Sequence, residues 1–229
     1  MMSPRKTPSS ERSPGPGRPK DPAKRAAILE SATRMFTAHG FDGVSMDEIA
    51  ADAGVSKLTV YSHFTDKETL FAAAVKSHCE QGLPSALFES TPDVPVRERL
   101  LSIARAFYSM VTAPEAIAGH RMLCTPQLAN TPLSRMFWDA GPRRVQEEFA
   151  ALLRRRIATG DLDIDDVPRA ASQFFSLLKG EPHARMVFGC CGAPGDTDVE
   201  AHIVASVDLF VRAYGTAAVR DALVRRQSR

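Results

Sequence analysis

The sequence predicts an all-α chain, a three-helix helix-turn-helix head followed by a larger helical domain. Three observations carry this expectation. Apolar residues recur at three- and four-residue spacing along most of the 229 residues. The second half shows no alternating strand pattern. Capping residues and glycine stops bracket the periodic segments where helices should begin and end. The expected organisation is a disordered basic arm over 1–21, a helix-turn-helix domain over 22–67 and a helical domain over 68–229.

The first helix is expected over 22–39, with Ile28, Leu29, Ala32 and Phe36 as its packing stripe and Gly40 as its stop. Ser45 and Glu48 have capping-box spacing, in which hydroxyl and carboxylate each satisfy an orphan backbone N–H, so a second helix starts at Met46. Met46, Ile49, Ala50 and Ala53 share one face, and Asp47, Glu48, Ala51 and Asp52 look outward. Gly54 supplies the left-handed residue of a sharp turn, and Val55 pins it. Ser56 then caps a third helix over 57–63 whose Val60, with Phe64, faces the core. Lys57, Thr59, Tyr61, Ser62 and His63 are left to face outward. These are donors and short polar groups, the types that bond phosphate oxygens and base edges of DNA. Thr65 or Asp66 caps a further helix that opens with Lys67 and runs through Leu70, Phe71, Ala74 and Val75.

From about Arg25 to Val75 the chain resembles the tetracycline-repressor (TetR) family of bacterial regulators. Phe36, Gly40, Phe41, Ser45, Ile49, Ala50, Ala53, Gly54, Val55, Ser56, Tyr61, Phe64, Lys67, Glu68 and Leu70 stand in that family's register. The usual family residue at Leu58 is glycine, so groove chemistry there differs. The rest of the chain is only loosely similar, with a likeness to the AefR-like subgroup. The resemblance implies a ligand-gated homodimer that binds double-stranded DNA. Carried onto this chain, the DNA-contacting set is Ser45, Ser56, Lys57, Leu58, Thr59, Tyr61, Ser62, His63 and Lys67. Lys67 would hold a phosphate together with the helix N–H groups and Tyr61.

Net charge is only +2, which argues against a nonspecific DNA coater. The first 25 residues are nevertheless basic: Arg5, Lys6, Arg12, Arg18, Lys20, Lys24 and Arg25 face only Glu11 and Asp21. Pro, Ser and Gly fill the arm between them, a composition that predicts disorder. Arg18 and Lys20 are expected to reach phosphate or the minor groove, whereas the residues before Gly17 serve equally well as a solubilising tail. No apolar run approaches the roughly 18 residues of a membrane span, and the N-terminus lacks a signal peptide's apolar core, so the expected location is cytoplasmic. Cys79, Cys124, Cys190 and Cys191 fit no zinc or disulfide spacing. The pair Cys190–Cys191, with His183 upstream, invites a redox or metal-sensing reading, but small residues in a loop explain it more cheaply. No metal or cofactor is expected. No Ser-His-Asp, Walker or dinucleotide spacing appears, and the histidines are scattered singly, so no enzyme is expected either.

In the helical domain Leu100, Ile103, Ala104, Phe107 and Val111 form one stripe, and Val145, Phe149, Leu152 and Leu153 another. Arg143, Arg144, Arg154 and Arg155 read as a solvated outer face. Pro114, Pro126, Pro132 and Pro142 are expected to cut the middle into short helices over 115–124 and 132–140. Asp165 or Asp166 caps a helix over 168–179 that Gly180 closes, and another follows over 196–214. Both are apolar on more than one side, so they are the expected homodimer face. The family's ligand gating directs a pocket to Phe107, Tyr108, Met110, Met122, Phe137, Trp138, Phe174 and Leu178, with His120 or Arg121 as polar anchors. The expected function is a homodimeric repressor of a palindromic operator, released by a small apolar or amphipathic effector. A ligand-independent regulator or an activator of the same fold is the alternative.

Overall fold

In the computed structural model the described residues are 21–89, 93–126, 128–129, 131–190 and 195–227, and they form eleven α-helices with one isolated bridge, Leu162 to Gly215. The head comprises α1 (Pro22–His39), α2 (Met46–Asp52) and α3 (Lys57–His63). Each helix start carries its own cap. Asp21 accepts from the Ala23 N–H at 3.0 Å, with Pro22 in the first turn, where no amide donor is needed. Ser45 and Glu48 close both bonds of the capping box. Gly54 turns the chain at φ 65°, and Ser56 then accepts from the Thr59 N–H. For α4 (Lys67–Gly82) the cap is Asp66, not Thr65: its carboxylate accepts from the Thr69 N–H at 2.7 Å.

Three phenyl rings knit the head together. Phe36 of α1, Phe41 of the following loop and Phe71 of α4 lie 5.5–5.6 Å apart, centroid to centroid. Around them Ile28, Ile49, Val60 and Leu70 are buried. α4 belongs to two cores, since Leu70, Phe71 and Ala74 pack in the head while Cys79 packs in the body.

The body holds α5 (Val96–Thr112), α6 (Pro114–Leu123), α7 (Pro132–Trp138), α8 (Arg144–Ala158), α9 (Val167–Phe188), α10 (Asp196–Tyr214) and α11 (Ala217–Gln227). Its centre is Phe149 stacked on Phe174 at 4.5 Å, with Phe210 edge-on to Phe174 at 5.1 Å. Two ion pairs tie α5 to α10: Arg97 with the buried Asp208 at 2.7 Å, and Arg105 with Glu200 at 2.6 Å.

Two expectations need correction. Pro142 does not end a helix. α7 passes through a π turn, Asp139–Arg143, directly into α8, and the wider turn carries the proline that cannot donate to a tighter one. Gly141 makes this possible by lying flat against α4: a Cβ there would stand 3.0 Å from Cys79 Sγ and 3.1 Å from Val75. The arginine run is not simply a solvated face, because Arg144 pairs with Glu148 at 2.5 Å and Arg155 donates to the Phe88 carbonyl at 2.6 Å. Much of the apolar surface of α9 and α10 packs within the chain. Ala171, Phe174, Phe175 and Leu178, like Ile203, Val207, Phe210 and Val211, are all buried in the body core. Leu209 and Phe188 are the large apolar side chains these helices leave exposed.

Gly180 breaks α9, at φ 47° and ψ −158°, but does not close it as expected, since the helix resumes beyond the kink to Phe188. The carbonyls freed at the break are taken by α10: His202 Nε2 lies 2.8 Å from the Leu178 oxygen, and Ser206 donates to the Leu177 oxygen at 3.4 Å.

Candidate nucleic-acid interface and cavity

The surface of α3 is presented by the caps that begin it and the turn that precedes it. Leu58 is 82% exposed and Tyr61 51% exposed, while Val60 beneath them is fully buried, so the helix is anchored by one side and open on the other. Lys57 and Ser62 are exposed, and Thr59 and His63 half-buried. The Ser56 and Thr59 hydroxyls lie 2.9 Å apart, and Ser62 donates to the Thr59 carbonyl at 2.7 Å. Lys57 pairs with Asp47 of α2. An exposed pair of this kind contributes about 0–1 kcal/mol, so a phosphate can replace Asp47 at little cost. Ser45 is engaged in its capping box, at the rim of a shallow groove shared with Tyr61, Asp66 and Lys67.

Lys67 departs from expectation. Its ammonium points back into the head, donating to the carbonyls of Phe41 at 2.9 Å and Val44 at 3.1 Å, and it lies 4.3 Å over the Phe41 ring. Two of its three donors are spent on the loop entering α2. The first turn of α4 is moreover already capped by the Asp66 carboxylate, held below the usual range by its bonds to Thr69. Lys67 is a structural clamp on the recognition unit. Arg18 and Lys20 lie outside the described residues.

Between head and body lies a cavity of about 280 Å³. Of the residues expected to line it, Phe107, Met110, Met122, Phe137 and Trp138 do so, as does His120. Tyr108, Phe174, Leu178 and Arg121 do not, and helix geometry explains each. On α9 the cavity face is Ser172, Phe175, Ser176 and Lys179, at i, i+3, i+4 and i+7, which turns Phe174 and Leu178 to the opposite side against the body core. On α5 the cavity face is Phe107, Met110 and Val111, leaving Tyr108 beside His202 with ring centroids 5.9 Å apart. Arg121 is committed to the Met186 and Val187 carbonyls near the end of α9.

Residues of α1 and α4 that sequence reasoning missed also line the cavity: Thr33, Phe36 and Thr37 of α1, and Phe71, Ala74, Val75, His78 and Cys79 of α4. No local pattern distinguishes them from ordinary core, since they meet the body only in three dimensions. The spacing of Ser172, Ser176 and Lys179 at i, i+4 and i+7 on α9 was a readable signal.

The wall is mainly apolar, but its basic groups are unusual. Burial lowers the pKa of Lys179. Burial first, then the Lys179 charge, lowers His120. His183 stands behind His120 with ring centroids 5.1 Å apart, and its pKa falls to about 4 through burial and then repulsion from His120 and Lys179. Burial pushes the Cys79 thiol up to about 11, so it is a poor nucleophile. Among the described residues no cluster of three or more His, Cys, Asp or Glu could hold a metal ion, and no helix is long and apolar enough to cross a membrane. Cys190 is exposed; Cys191 lies outside the described residues.

Comparison with known proteins matches both parts of the chain. Residues 28–74 match the family model described as bacterial regulatory proteins, tetR family, and residues 98–216 that of the AefR-like transcriptional repressor, C-terminal domain. The transcriptional activator FasR of Mycolicibacterium smegmatis is 34% identical over 91 residues, which span 38% of this chain and 40% of FasR. Among solved structures, a TetR-family transcriptional regulator from Mesorhizobium loti is 31% identical at a TM-score of 0.70, covering 84% of this chain and 97% of that one. The flavonoid-responsive regulator FrrA is 30% identical at a TM-score of 0.66, covering 85% and 98%.

Proposed function

The chain belongs to the tetR family of bacterial regulatory proteins, a family of transcription regulators and not of enzymes, and from that premise we propose that it is a cytoplasmic homodimeric repressor of a palindromic operator. A small apolar or amphipathic effector filling the cavity releases it from DNA. The observation that carries this reading is the cavity wall: Phe36 and Phe71 belong at once to the head core and to the lining.

In a dimer the two α3 helices enter successive major grooves about 34–36 Å apart, or at a multiple of that spacing. Leu58, Thr59 and Tyr61 meet the DNA there, with Lys57, Ser62 and His63 beside them. α9 and α10 form the subunit contact, with Leu209 and Phe188 as its apolar residues. An effector that pushes α1 and α4 apart tilts both heads and spoils the spacing. To turn a mostly competent population into a mostly incompetent one, it must prefer the released form by about 5.5 kcal/mol. A rigid wall shared with the head core supplies such a differential, because packed interiors resist compression.

The match to the activator FasR favours a second reading, in which the same fold recruits transcription. Transcription in vitro from the promoter beside the chain's own coding sequence separates the two. Falling transcript with added protein supports repression, and rising transcript supports activation.

A further inference from the structure

The cavity holds a basic pole, one lysine beside two histidines, with no acid paired to it. Lys179 forms no ion pair among the described residues, and burial is the one influence that displaces its pKa. His120 stands next to it on the wall. His183, behind His120, is 8% exposed, and its Nε2 is buried without a hydrogen-bond partner. Glu115 is the one acid among the lining residues; it is exposed in the first turn of α6 and acts on none of the three. Away from this pole the wall is mainly phenyl, indole, methionine and aliphatic carbon, with Thr33, Thr37, His78 and Gln146 as its polar side chains. Lys179 and His120 are half-buried on the cavity wall, and the lysine charge there has no ion-pair partner among the described residues.

We propose that the effector is an amphipathic monoanion, a carboxylate on one ring or a short chain, seated with its charge on Lys179 and His120 and its apolar body between Phe36, Phe71 and Trp138. The inference rests on the effector-gated reading above. The volume of about 280 Å³ sits at the small end of ligand pockets, which run from roughly 300 Å³ upward, so one ring or a medium chain fills it. Ser172 and Ser176, two turns and one turn before Lys179 on the same α9 face, add polar oxygens to this wall, the Ser176 hydroxyl donating to the Ser172 carbonyl at 2.9 Å. Approach of the anion favours protonated His120 and His183, so binding takes up protons. The other titratable groups on the cavity wall are Glu115 on α6 and His78 and Cys79 on α4, while Arg121 follows His120 on α6 and Glu181 and Arg185 flank His183 on α9.

The test is calorimetric titration of the full chain, without DNA, with a panel of matched pairs: phenylacetate, cinnamate and octanoate, each beside its neutral primary amide. The expected result is at least one carboxylate binding tenfold or more tightly than its amide. In Lys179→Met that carboxylate weakens at least tenfold while the amide is unchanged, and Lys179→Arg restores much of the loss. A panel in which no carboxylate exceeds its amide, or equal carboxylate affinity in Lys179→Met, overturns the proposal. DNA binding is read separately. A carboxylate that binds as expected yet leaves the DNA complex intact preserves the ligand assignment and removes the ligand-release reading.

Discussion

Phe36 of α1 and Phe71 of α4 meet edge to face with ring centroids 5.5 Å apart, and both rings line the cavity. Phe41 closes the triangle, and the Lys67 ammonium sits on its ring while holding the carbonyls of Phe41 and Val44. Val44 leads directly into the Ser45 cap of α2. A shift of either wall ring therefore reaches the start of the helix-turn-helix through three packed contacts.

Filling the cavity by mutation should imitate the effector. Gly119 lines it from α6, and a Cβ there meets nothing within 4 Å. Gly119→Met should raise the melting temperature, since removing an interior helical glycine stabilises by roughly 0.5–1 kcal/mol. It should also weaken DNA binding at least tenfold. Thermal unfolding and gel-shift titration check the two, and undiminished DNA binding in a stabilised variant contradicts the coupling.

Lys67→Ala should damage the head itself. Loss of its two bonds to backbone carbonyls and of its seat over Phe41 should cost about 1–3 kcal/mol. Chemical denaturation measures this. A residue that only held phosphate would leave stability unchanged and lower just the salt slope of DNA binding.

Leu58 separates readout from folding. It is so exposed that Leu58→Glu should leave the melting temperature within about one degree, whereas a carboxylate against the DNA should weaken every sequence more than tenfold. Thr59→Ala should instead relax the choice at one base by about 1–3 kcal/mol. Uniform weakening across operator variants would remove Thr59 from base reading.

Stability should depend on pH through His183. Its folded pKa, about 4, lies below the ordinary value of 6.5, so the unfolded chain binds more protons between them. Its contribution is complete above about pH 6.5 and is lost as pH falls towards 4. His120, shifted the same way, adds to this. The carboxylates of Asp52, Asp66 and Asp166 are held low and lose their contribution only at more acid pH. Denaturation midpoints from pH 7.5 to 4.5 should therefore fall less steeply in His183→Phe than in the wild type.

Legibility in the sequence followed the range of the interaction. The limits of α1, α2, α3 and α10 could be read directly, because Ser45–Glu48, Gly54 and Ser56 act within one turn of chain. The π turn at Asp139–Arg143 was not legible, since a proline breaks a helix by local rules, whereas the close approach of Gly141 to α4 exists only in three dimensions. α11 and the 3₁₀ turn Ser85–Phe88 also went unforeseen. At the cavity, residue type alone did not separate Phe175, which faces it, from Phe174, which does not. That choice depends on which face of α9 meets α8, a property of tertiary packing.

The most direct measurement is a footprint on the DNA upstream of the chain's own coding sequence, over a salt series, comparing wild type with Tyr61→Phe. The account predicts a protected site with two-fold symmetry, steep weakening with salt, and substantially weaker protection in the mutant at every salt concentration. Binding no tighter than to random DNA, or protection indifferent to Tyr61, would contradict it.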